Sequence, residues 1–207
     1  GICIPSEYGG HGANLRTYAL TAAEVGRYCG STALTFNMHV CSCLWSGTMA
    51  DDLEMDRAVR ERHHETRSVH YRRILDDGAI YSQPFSEGGS AAAGAVAFST
   101  TAVRCDGGWI IRGKKIFASL SGNADYYGTL CTELQHVDDK PSRSKTLYLA
   151  IPAKAEGVRV VGDWDPLGMR GTVSRTLLFE EVFVPEGSEL LPPGVYFQAV
   201  SRWPHMF

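Results

Sequence analysis

Apolar residues recur every three to four positions through the first third of the chain. From 15 to 29 they fall on one helical face after Asn14, whose side chain suits an N-cap. A second helix is predicted over 31–44, and because it is apolar on most sides we expect it to be buried. From 51 to 77 acidic and basic residues alternate at helical spacing, which favours a solvent-exposed helix with ion pairs over a basic binding patch.

From Gly78 onward the hydrophobic period changes to two, which indicates strands. The turn signal Asp106-Gly107-Gly108 predicts a hairpin. The predicted strands fall at 96–105, 109–111, 116–117, 126–132, 146–151, 158–161 and 174–184. Because no helix lies between them, these strands predict an antiparallel barrel or sandwich. A further helix is predicted to begin within 195–207.

The composition is that of a globular protein. The chain has 207 residues, of which 44% are hydrophobic and 21% are charged, and its formal net charge is −3. A disordered chain would have fewer apolar residues and more net charge, and a nucleic-acid-binding surface would concentrate Lys and Arg. No run approaches the ~18 uninterrupted apolar residues of a membrane span. We therefore expect neither a nucleic-acid partner nor a membrane span.

Cysteine and histidine spacing bears on location and on metal binding. Six cysteines at irregular intervals predict reduced, mostly buried thiols, and we expect a cytoplasmic location. His63 and His64 are neighbours on the predicted charged helix, so their side chains point about 100° apart. A metal site needs ligands that converge on one ion. We therefore predict no metal site.

Three segments contain residue types that carry chemistry. The first begins Tyr81-Ser82-Gln83-Pro84 and continues into a loop of small residues, 87–94, that includes Ser90. Exposed backbone N–H groups in such a loop can bind a phosphate, although a flexible connection between strands has the same composition.

The other two segments are equally ambiguous when each is taken alone. Residues 113–125 place the hydroxyls of Ser119 and Ser121 where a strand runs into a turn, and an ordinary strand end has the same pattern. Residues 165–172 place Arg170 near two glycines, where it could bind a carboxylate or phosphate or cross a protein interface.

The order of short motifs along the chain gives these signals a common interpretation. The motifs are Ile4-Pro5-Ser6-Glu7-Tyr8-Gly9-Gly10-His11-Gly12, Ser82-Gln83-Pro84 with Gly88-Gly89-Ser90, Gly113-Lys114-Lys115-Ile116-Phe117-Ala118-Ser119, Leu167-Gly168-Met169-Arg170-Gly171-Thr172, and Phe179-Glu180-Glu181-Val182-Phe183-Val184-Pro185. In this order and spacing they resemble the acyl-CoA dehydrogenase family over nearly the whole chain. The last two motifs are the most specific part of the resemblance.

The resemblance implies an α+β fold. An N-terminal helical domain would be followed by an antiparallel β-barrel, with the chain truncated before a C-terminal helical bundle. The domains would be a partial helical domain at 1–78, a flavin-binding barrel at 79–190 and the start of the C-terminal helices at 191–207.

The same resemblance implies FAD bound against the barrel. The residues that it places at the cofactor are Tyr81, Ser82, Gly89, Ser90, Phe117, Ala118 and Ser119. Ser82 and Ser119 would hydrogen-bond the flavin ring, the ring of Phe117 would lie along it, and Ser90 would also contact the substrate. A hydroxyl donor at the flavin would stabilise the negative charge that forms on reduction.

For the activity, the resemblance implies FAD-dependent α,β-dehydrogenation of an acyl-CoA thioester in fatty acid metabolism, with hydride transfer to flavin N5. An electron-transfer flavoprotein would accept the electrons, and the protein would form a homodimer or homotetramer. The family's catalytic base is a carboxylate that usually comes from the C-terminal domain. No acid in this chain matches that position, so we assign no catalytic residue.

Departures from the family pattern keep other functions open. Gln83 stands where the family usually has Glu. The Phe117-Ala118-Ser119 sequence also resembles flavin monooxygenases of the same fold, which use reduced flavin and O₂ on aromatic or sulfur-containing substrates. A third alternative is a non-catalytic protein that keeps the fold without the chemistry.

Overall fold

The computed structural model describes residues 1–89 and 96–202. Within these ranges the helices are α1 Leu15–Tyr28, α2 Gly30–Leu44, α3 Arg57–Leu75 and α4 Tyr196–Arg202, and a π-helical turn, Trp45–Met49, continues α2. The strands are β1 Tyr81–Ser82, β2 Thr101–Cys105, β3 Gly108–Ala118, β4 Tyr126–Leu134, β5 Thr146–Pro152, β6 Val158–Val161, β7 Arg175–Pro185 and β8 Glu189–Leu191. Short 3₁₀ turns occupy Ser6–Tyr8, Arg143–Lys145 and Arg170–Thr172.

The first two helices form an antiparallel hairpin whose turn is a single residue. Asn14 caps α1 as predicted, because its side chain accepts a hydrogen bond from the Thr17 N–H at 3.0 Å. Cys29 is in an extended conformation, ends α1 and precedes α2, where its sulfur accepts a hydrogen bond from the Thr32 N–H. This tight connection places α1 and α2 side by side, and α2 also packs against β1.

Helix α3 departs from the solvent-exposed prediction along one face. Arg67 is fully buried there, with its guanidinium 2.8 Å from Asp51 Oδ1 and 3.0 Å from the carbonyl oxygen of Ser46. The Tyr8 hydroxyl lies 3.1 Å from Arg67 Nε. A buried charge is tolerated when it is paired and hydrogen-bonded. The alternating charges of α3 therefore conceal a face that packs against the N-terminal segment.

The strands form one sheet in the order β6-β7-β3-β2-β4-β5-β8, with β1 beside β4. The predicted α+β fold, with helices before the sheet, is confirmed. Two pairs, β2 with β4 and β1 with β4, are parallel, and the remaining pairs are antiparallel. Strands β6 and β8 are the sheet edges, so the sheet is open and the word barrel describes its curl only loosely.

Strands β4 and β5 contribute side chains to two separate cores. Tyr127, Cys131 and Leu149 point into the core that the curled sheet encloses. Leu130 and Tyr148, which alternate with them, point to the other face and pack with the helices. Because successive strand residues face opposite sides, the same two strands join the helical layer to the sheet.

The predicted hairpin is confirmed, because β2 pairs antiparallel with β3 across the turn at 106–107. Its first strand begins at Thr101 and not at residue 96, and the segments 109–111 and 116–117 both lie within the continuous strand β3. Lys115 is fully buried in a salt bridge, and the strand continues through it. The domain division at 1–78, 79–190 and 191–207 stays a prediction.

All six cysteines are free thiols and four of them are buried, as predicted. In the two described ranges, no helix has the length and hydropathy needed to cross a bilayer. Over the same ranges, no group of three or more His, Cys, Asp or Glu residues converges as a set of metal ligands.

Candidate functional site

A cavity of about 870 Å³ lies where helices α1 and α2 face the end of strand β3 and the start of β7. One wall comes from the two helices, and we call it the helical wall. It consists of Leu15, Tyr18, Ala19, Leu34, Asn37, Met38 and Cys41. The opposite wall, which we call the sheet wall, consists of Phe117, Ser119, Met169, Thr172 and Ser174. The lining is completed by Gln83, Phe85, Ser86, Trp45 and Trp164.

The helical wall is mainly apolar, with one hydrogen-bonded cluster. The Tyr18 hydroxyl and the Cys41 thiol both donate to Asn37 Oδ1, the thiol at 3.0 Å. Burial raises the pKa of the Cys41 thiol to about 12, so the thiol is protonated at neutral pH. No Asp, Glu, His, Lys or Arg among the described residues lines the cavity. The lining is therefore uncharged over the part of the chain that the structure covers.

The sheet wall presents a flat aromatic ring next to a hydroxyl. Phe117 has a left-handed backbone with φ of +53°, and its side chain is 64% exposed. Its ring lies edge-on to Trp164, with ring centres 6.3 Å apart. Two residues further on, Ser119 is 5% exposed and faces the same cavity. This turn at the end of β3 is what brings both side chains to one surface.

Three hydroxyl groups of the sheet wall are connected in series. Ser119 Oγ lies 2.8 Å from Ser174 Oγ, which lies 2.6 Å from Thr172 Oγ1. Thr172 Oγ1 in turn donates to the carbonyl oxygen of Met169 at 2.9 Å. We call this series the hydroxyl chain. It leads from the cavity surface to a backbone carbonyl in the adjacent 3₁₀ turn.

The backbone around the hydroxyl chain is strained. Leu120, Met169 and Val173 have φ values of +64°, +59° and +45°, a region that residues other than glycine rarely adopt and that is especially unfavourable for β-branched Val173. The Ser121 hydroxyl stabilises this arrangement, because its hydrogen lies between the Ala118 and Val173 carbonyl oxygens and its oxygen accepts from the Arg175 N–H at 2.8 Å. Such strain clusters at sites where the surrounding contacts impose one geometry.

A buried ion pair anchors the loop that reaches the cavity. Lys115 Nζ lies 2.7 Å from Glu87 Oε1, and the two side chains are 0% and 6% exposed. Glu87 also accepts hydrogen bonds from both donors of Ser99 and from the Thr100 N–H. Burial alone would raise the pKa of Glu87, but the Lys115 charge and these hydrogen bonds lower it to about 2. Burial lowers the pKa of Lys115, and the Glu87 charge opposes that effect.

Gln83 is the cavity residue with an unsatisfied polar atom. Its Oε1 is buried and has no hydrogen-bond partner among the described residues. Leaving a buried acceptor without a partner costs free energy, so the position favours a ligand with an N–H or O–H donor. The Ser86 carbonyl, three residues later, accepts from the Ile116 N–H at 2.8 Å and fixes this loop to β3.

Of the seven residues predicted to contact the cofactor, two line the cavity in the structure. Phe117 and Ser119 both line the cavity. Ser82 is fully buried beneath them, and its hydroxyl donates to the carbonyl oxygen of Ser119. The single hydroxyl hydrogen of Ser82 is therefore used within the protein, and its contact with a cofactor stays a prediction.

Three other predicted residues, all within the described ranges, do not line the cavity. Tyr81 belongs to the helix–sheet core, where its hydroxyl lies 3.0 Å from His70 Nδ1. Ala118 lies in the core of the curled sheet and Gly89 is exposed. Ser90, predicted to contact both cofactor and substrate, lies outside the described residues. Their roles stay predictions.

Sequence reasoning missed several residues that form the site. Thr172 lies within the third candidate segment and Ser174 just after it. The residue predicted there as a possible binding residue was Arg170. The Arg170 side chain is 68% exposed, pairs with Asp165 at 3.1 Å and does not line the cavity. Asn37 was hidden within a helix predicted only as buried, and nothing in its local sequence marks it as a cavity residue.

Two family models match the chain. The model described as "Acyl-CoA dehydrogenase, N-terminal domain" matches residues 1–50, and the one described as "Acyl-CoA dehydrogenase, middle domain" matches residues 85–182. The second match covers β2 to most of β7 and includes Phe117, Ser119, Thr172 and Ser174. The two models of one family thus cover all the named residues of both the helical wall and the sheet wall.

Curated relatives include both dehydrogenases and monooxygenases. The Bacillus subtilis protein named "Probable acyl-CoA dehydrogenase YngJ" is 27% identical over 204 residues, covering 96% of this chain and 48% of the relative. The dibenzothiophene monooxygenase of Rhodococcus erythropolis is also 27% identical, over 201 residues, covering 96% of this chain and 43% of the relative. The chain therefore spans about half the length of the curated relatives it matches.

Solved structures share the fold. The structure of TdsC from Paenibacillus sp. A11-2 in complex with FMN and indole superposes with a TM-score of 0.72 at 26% identity. The match covers 96% of this chain and 45% of TdsC.

Proposed function

Because the chain belongs to the acyl-CoA dehydrogenase family, we propose that it forms part of a flavin-dependent oxidoreductase and that FAD is its cofactor. The observation that carries this proposal is the joint placement of Phe117, Ser119 and Gln83 in a single cavity of about 870 Å³. When bound, the flavin would supply a two-electron acceptor or donor that no side chain offers.

The cavity residues fit the chemistry of an isoalloxazine. The flat apolar face of Phe117 suits a flat ring, and Ser119 offers a hydroxyl at the polar edge of that ring. The flavin ring carries N–H as well as carbonyl groups, so it can provide the donor that Gln83 Oε1 lacks. Ser82 contributes indirectly, because its hydroxyl fixes the Ser119 carbonyl.

As the first candidate reaction we propose α,β-dehydrogenation of an acyl-CoA thioester. The apolar helical wall, with Leu34 and Met38, is suited to an acyl chain, since Met adapts to irregular shapes. The proton-abstracting carboxylate would come from outside the described residues. An electron-transfer flavoprotein as acceptor, a homodimeric or homotetrameric assembly, and a role in cytoplasmic fatty acid metabolism complete this proposal.

A monooxygenase on the same fold is the second candidate. The aromatic side chains around the cavity, among them Trp45, Phe85 and Trp164, would also accommodate a flat aromatic substrate. The similarity to dibenzothiophene monooxygenase and to TdsC bound to FMN and indole supports this candidate.

An anaerobic flavin spectrum distinguishes the two candidates. Bleaching of the flavin band by an acyl-CoA supports the dehydrogenase. Bleaching only by an external reductant, followed by O₂-dependent product from an aromatic substrate, supports the monooxygenase. If the purified protein bound no flavin under any condition, both candidates would be wrong and a non-catalytic role would remain.

A further inference from the structure

The hydroxyl chain has a fixed direction. A hydroxyl has one hydrogen to donate, and a carbonyl oxygen can only accept. Thr172 Oγ1 donates its hydrogen to the Met169 carbonyl at 2.9 Å, so toward Ser174 it can act only as an acceptor. Ser174 must then donate to Thr172 and accept from Ser119, whose single hydrogen is therefore engaged by Ser174 and is not available to a ligand.

Burial reinforces this direction. Ser119, Thr172 and Ser174 are 5%, 1% and 5% exposed, so water has little access to replace a lost bond. If the chain ran the other way, Thr172 Oγ1 and the Met169 carbonyl oxygen would face each other as two acceptors at 2.9 Å. The carbonyl also accepts from the Thr172 N–H and from Trp164 Nε1, which holds it in place.

We propose that Thr172 and Ser174 orient the Ser119 hydroxyl so that it accepts a hydrogen bond from the cavity, and that the site thereby favours the reduced form of the flavin. This inference rests on the proposed function. Two-electron reduction with uptake of two protons turns bare ring nitrogens of the flavin, which accept hydrogen bonds, into N–H donors. A lone pair presented by Ser119 suits the reduced ring and opposes the oxidised one.

This assignment changes the role expected for Ser119. A resemblance at positions 117–119 suggested a hydroxyl that donates to the flavin. Because its hydrogen is held by Ser174, Ser119 acts as an acceptor, and Thr172 and Ser174 are positioning residues that act through it.

The test compares how tightly the protein binds oxidised FAD and reduced FAD. The midpoint potential of bound relative to free FAD gives the ratio of the two affinities through a thermodynamic cycle. Thr172→Val and Ser174→Ala each free the Ser119 hydrogen to point into the cavity. We expect either variant to lower the preference for reduced FAD roughly fivefold, the effect of about one hydrogen bond. For a two-electron couple this is a fall of about 20 mV.

Three controls separate orientation from packing. Thr172→Ser keeps the hydroxyl and should restore the wild-type ratio. Thr132→Val removes a comparable buried threonine bond, to the Phe98 carbonyl at 2.8 Å, and should leave the ratio unchanged. In a Ser119→Ala background, Thr172→Val should have no further effect on the ratio, because the residue through which it acts is absent.

An unchanged ratio in both Thr172→Val and Ser174→Ala would overturn the inference while leaving the proposed function intact. An equal loss in Thr132→Val, or a loss that persists without the Ser119 hydroxyl, would also overturn it. If the wild-type protein bound FAD in neither redox form, the proposed function would fail and this inference with it.

Discussion

The two walls of the cavity are built in different ways. The sheet wall has left-handed backbone at Phe117, Met169 and Val173, a directed hydroxyl chain and a buried ion pair behind its loop. The helical wall is made of regular helix and carries unbranched or flexible side chains such as Met38. One wall is therefore held in a single geometry, and the other can adjust its side chains.

This difference indicates that the two walls have separate roles in binding. A cofactor has a constant shape and needs groups fixed by packing and by supporting hydrogen bonds. A substrate pocket has to accommodate a variable shape, for which flexible apolar side chains are suited. We therefore expect changes to the sheet wall to affect stability and flavin binding, and changes to the helical wall to affect substrate choice.

The largest effect should come from breaking the ion pair behind the sheet wall. Glu87→Gln leaves the fully buried Lys115 charge without its partner, and we expect the free energy of unfolding to fall by about 3–5 kcal/mol. Chemical denaturation measures the change. Glu180→Gln, which removes an exposed pair with Arg159, should cost less than about 1 kcal/mol. Equal losses in the two variants would contradict the role given to the buried pair.

The same pair should make the sheet wall sensitive to acid. The pKa of Glu87 falls from 4.5 to about 2 on folding, so its stabilising contribution is complete above pH 4.5 and is lost as the pH falls toward 2. We expect a loss of up to about 3 kcal/mol over this range. The double variant Glu87→Gln with Lys115→Met should lack this component of the acid dependence. If its unfolding free energy fell with pH in the same way as that of the wild type, the assignment would be wrong.

A smaller effect is expected at Ser82. Ser82→Ala removes the hydroxyl that holds the Ser119 carbonyl, which should lower the unfolding free energy by about 1 kcal/mol and weaken flavin binding. Ser68→Ala is the control, since its exposed hydroxyl donates to the Glu65 carbonyl within α3. Flavin titration and denaturation of both variants test the point, and unchanged flavin affinity in Ser82→Ala would remove Ser82 from the site.

The smallest effect on stability should come from the helical wall. Met38→Leu preserves volume and should change the unfolding free energy by less than about 1.5 kcal/mol, with flavin affinity unaltered. Relative rates with substrates of different length should shift. Phe117→Leu on the sheet wall should instead weaken flavin binding. If Met38→Leu weakened flavin binding as much, the proposed division between the walls would be wrong.

The fold was predictable where the local pattern matches the tertiary environment. Strand β6 was predicted with its observed bounds, and the start of α1 at its Asn14 cap was also correct. The burial of Lys115 in β3 has no local signal, because a lysine ordinarily indicates solvent exposure. Its partner Glu87 lies 28 residues away, and local sequence contains no information about a contact at that distance.

The site shows the same limit. Phe117 and Ser119 were identified because they belong to one contiguous motif. Ser174 approaches Ser119 only through the pairing of β3 with β7, and Asn37 only through the packing of α2 against the sheet. A side chain that becomes part of a site through long-range pairing has no local signature.

Strands β4 and β5 form a partition that both halves of the molecule share. Because Leu130 serves one core and Cys131 the other, inserting a single residue early in β4 would exchange every subsequent side chain between the two interiors. Such an insertion would damage the helical layer and the curled sheet together, whereas lengthening the loop at 135–142 would disturb neither. Both evolution and protein engineering can therefore change the length of the loop between β4 and β5, but not the number of residues within these strands.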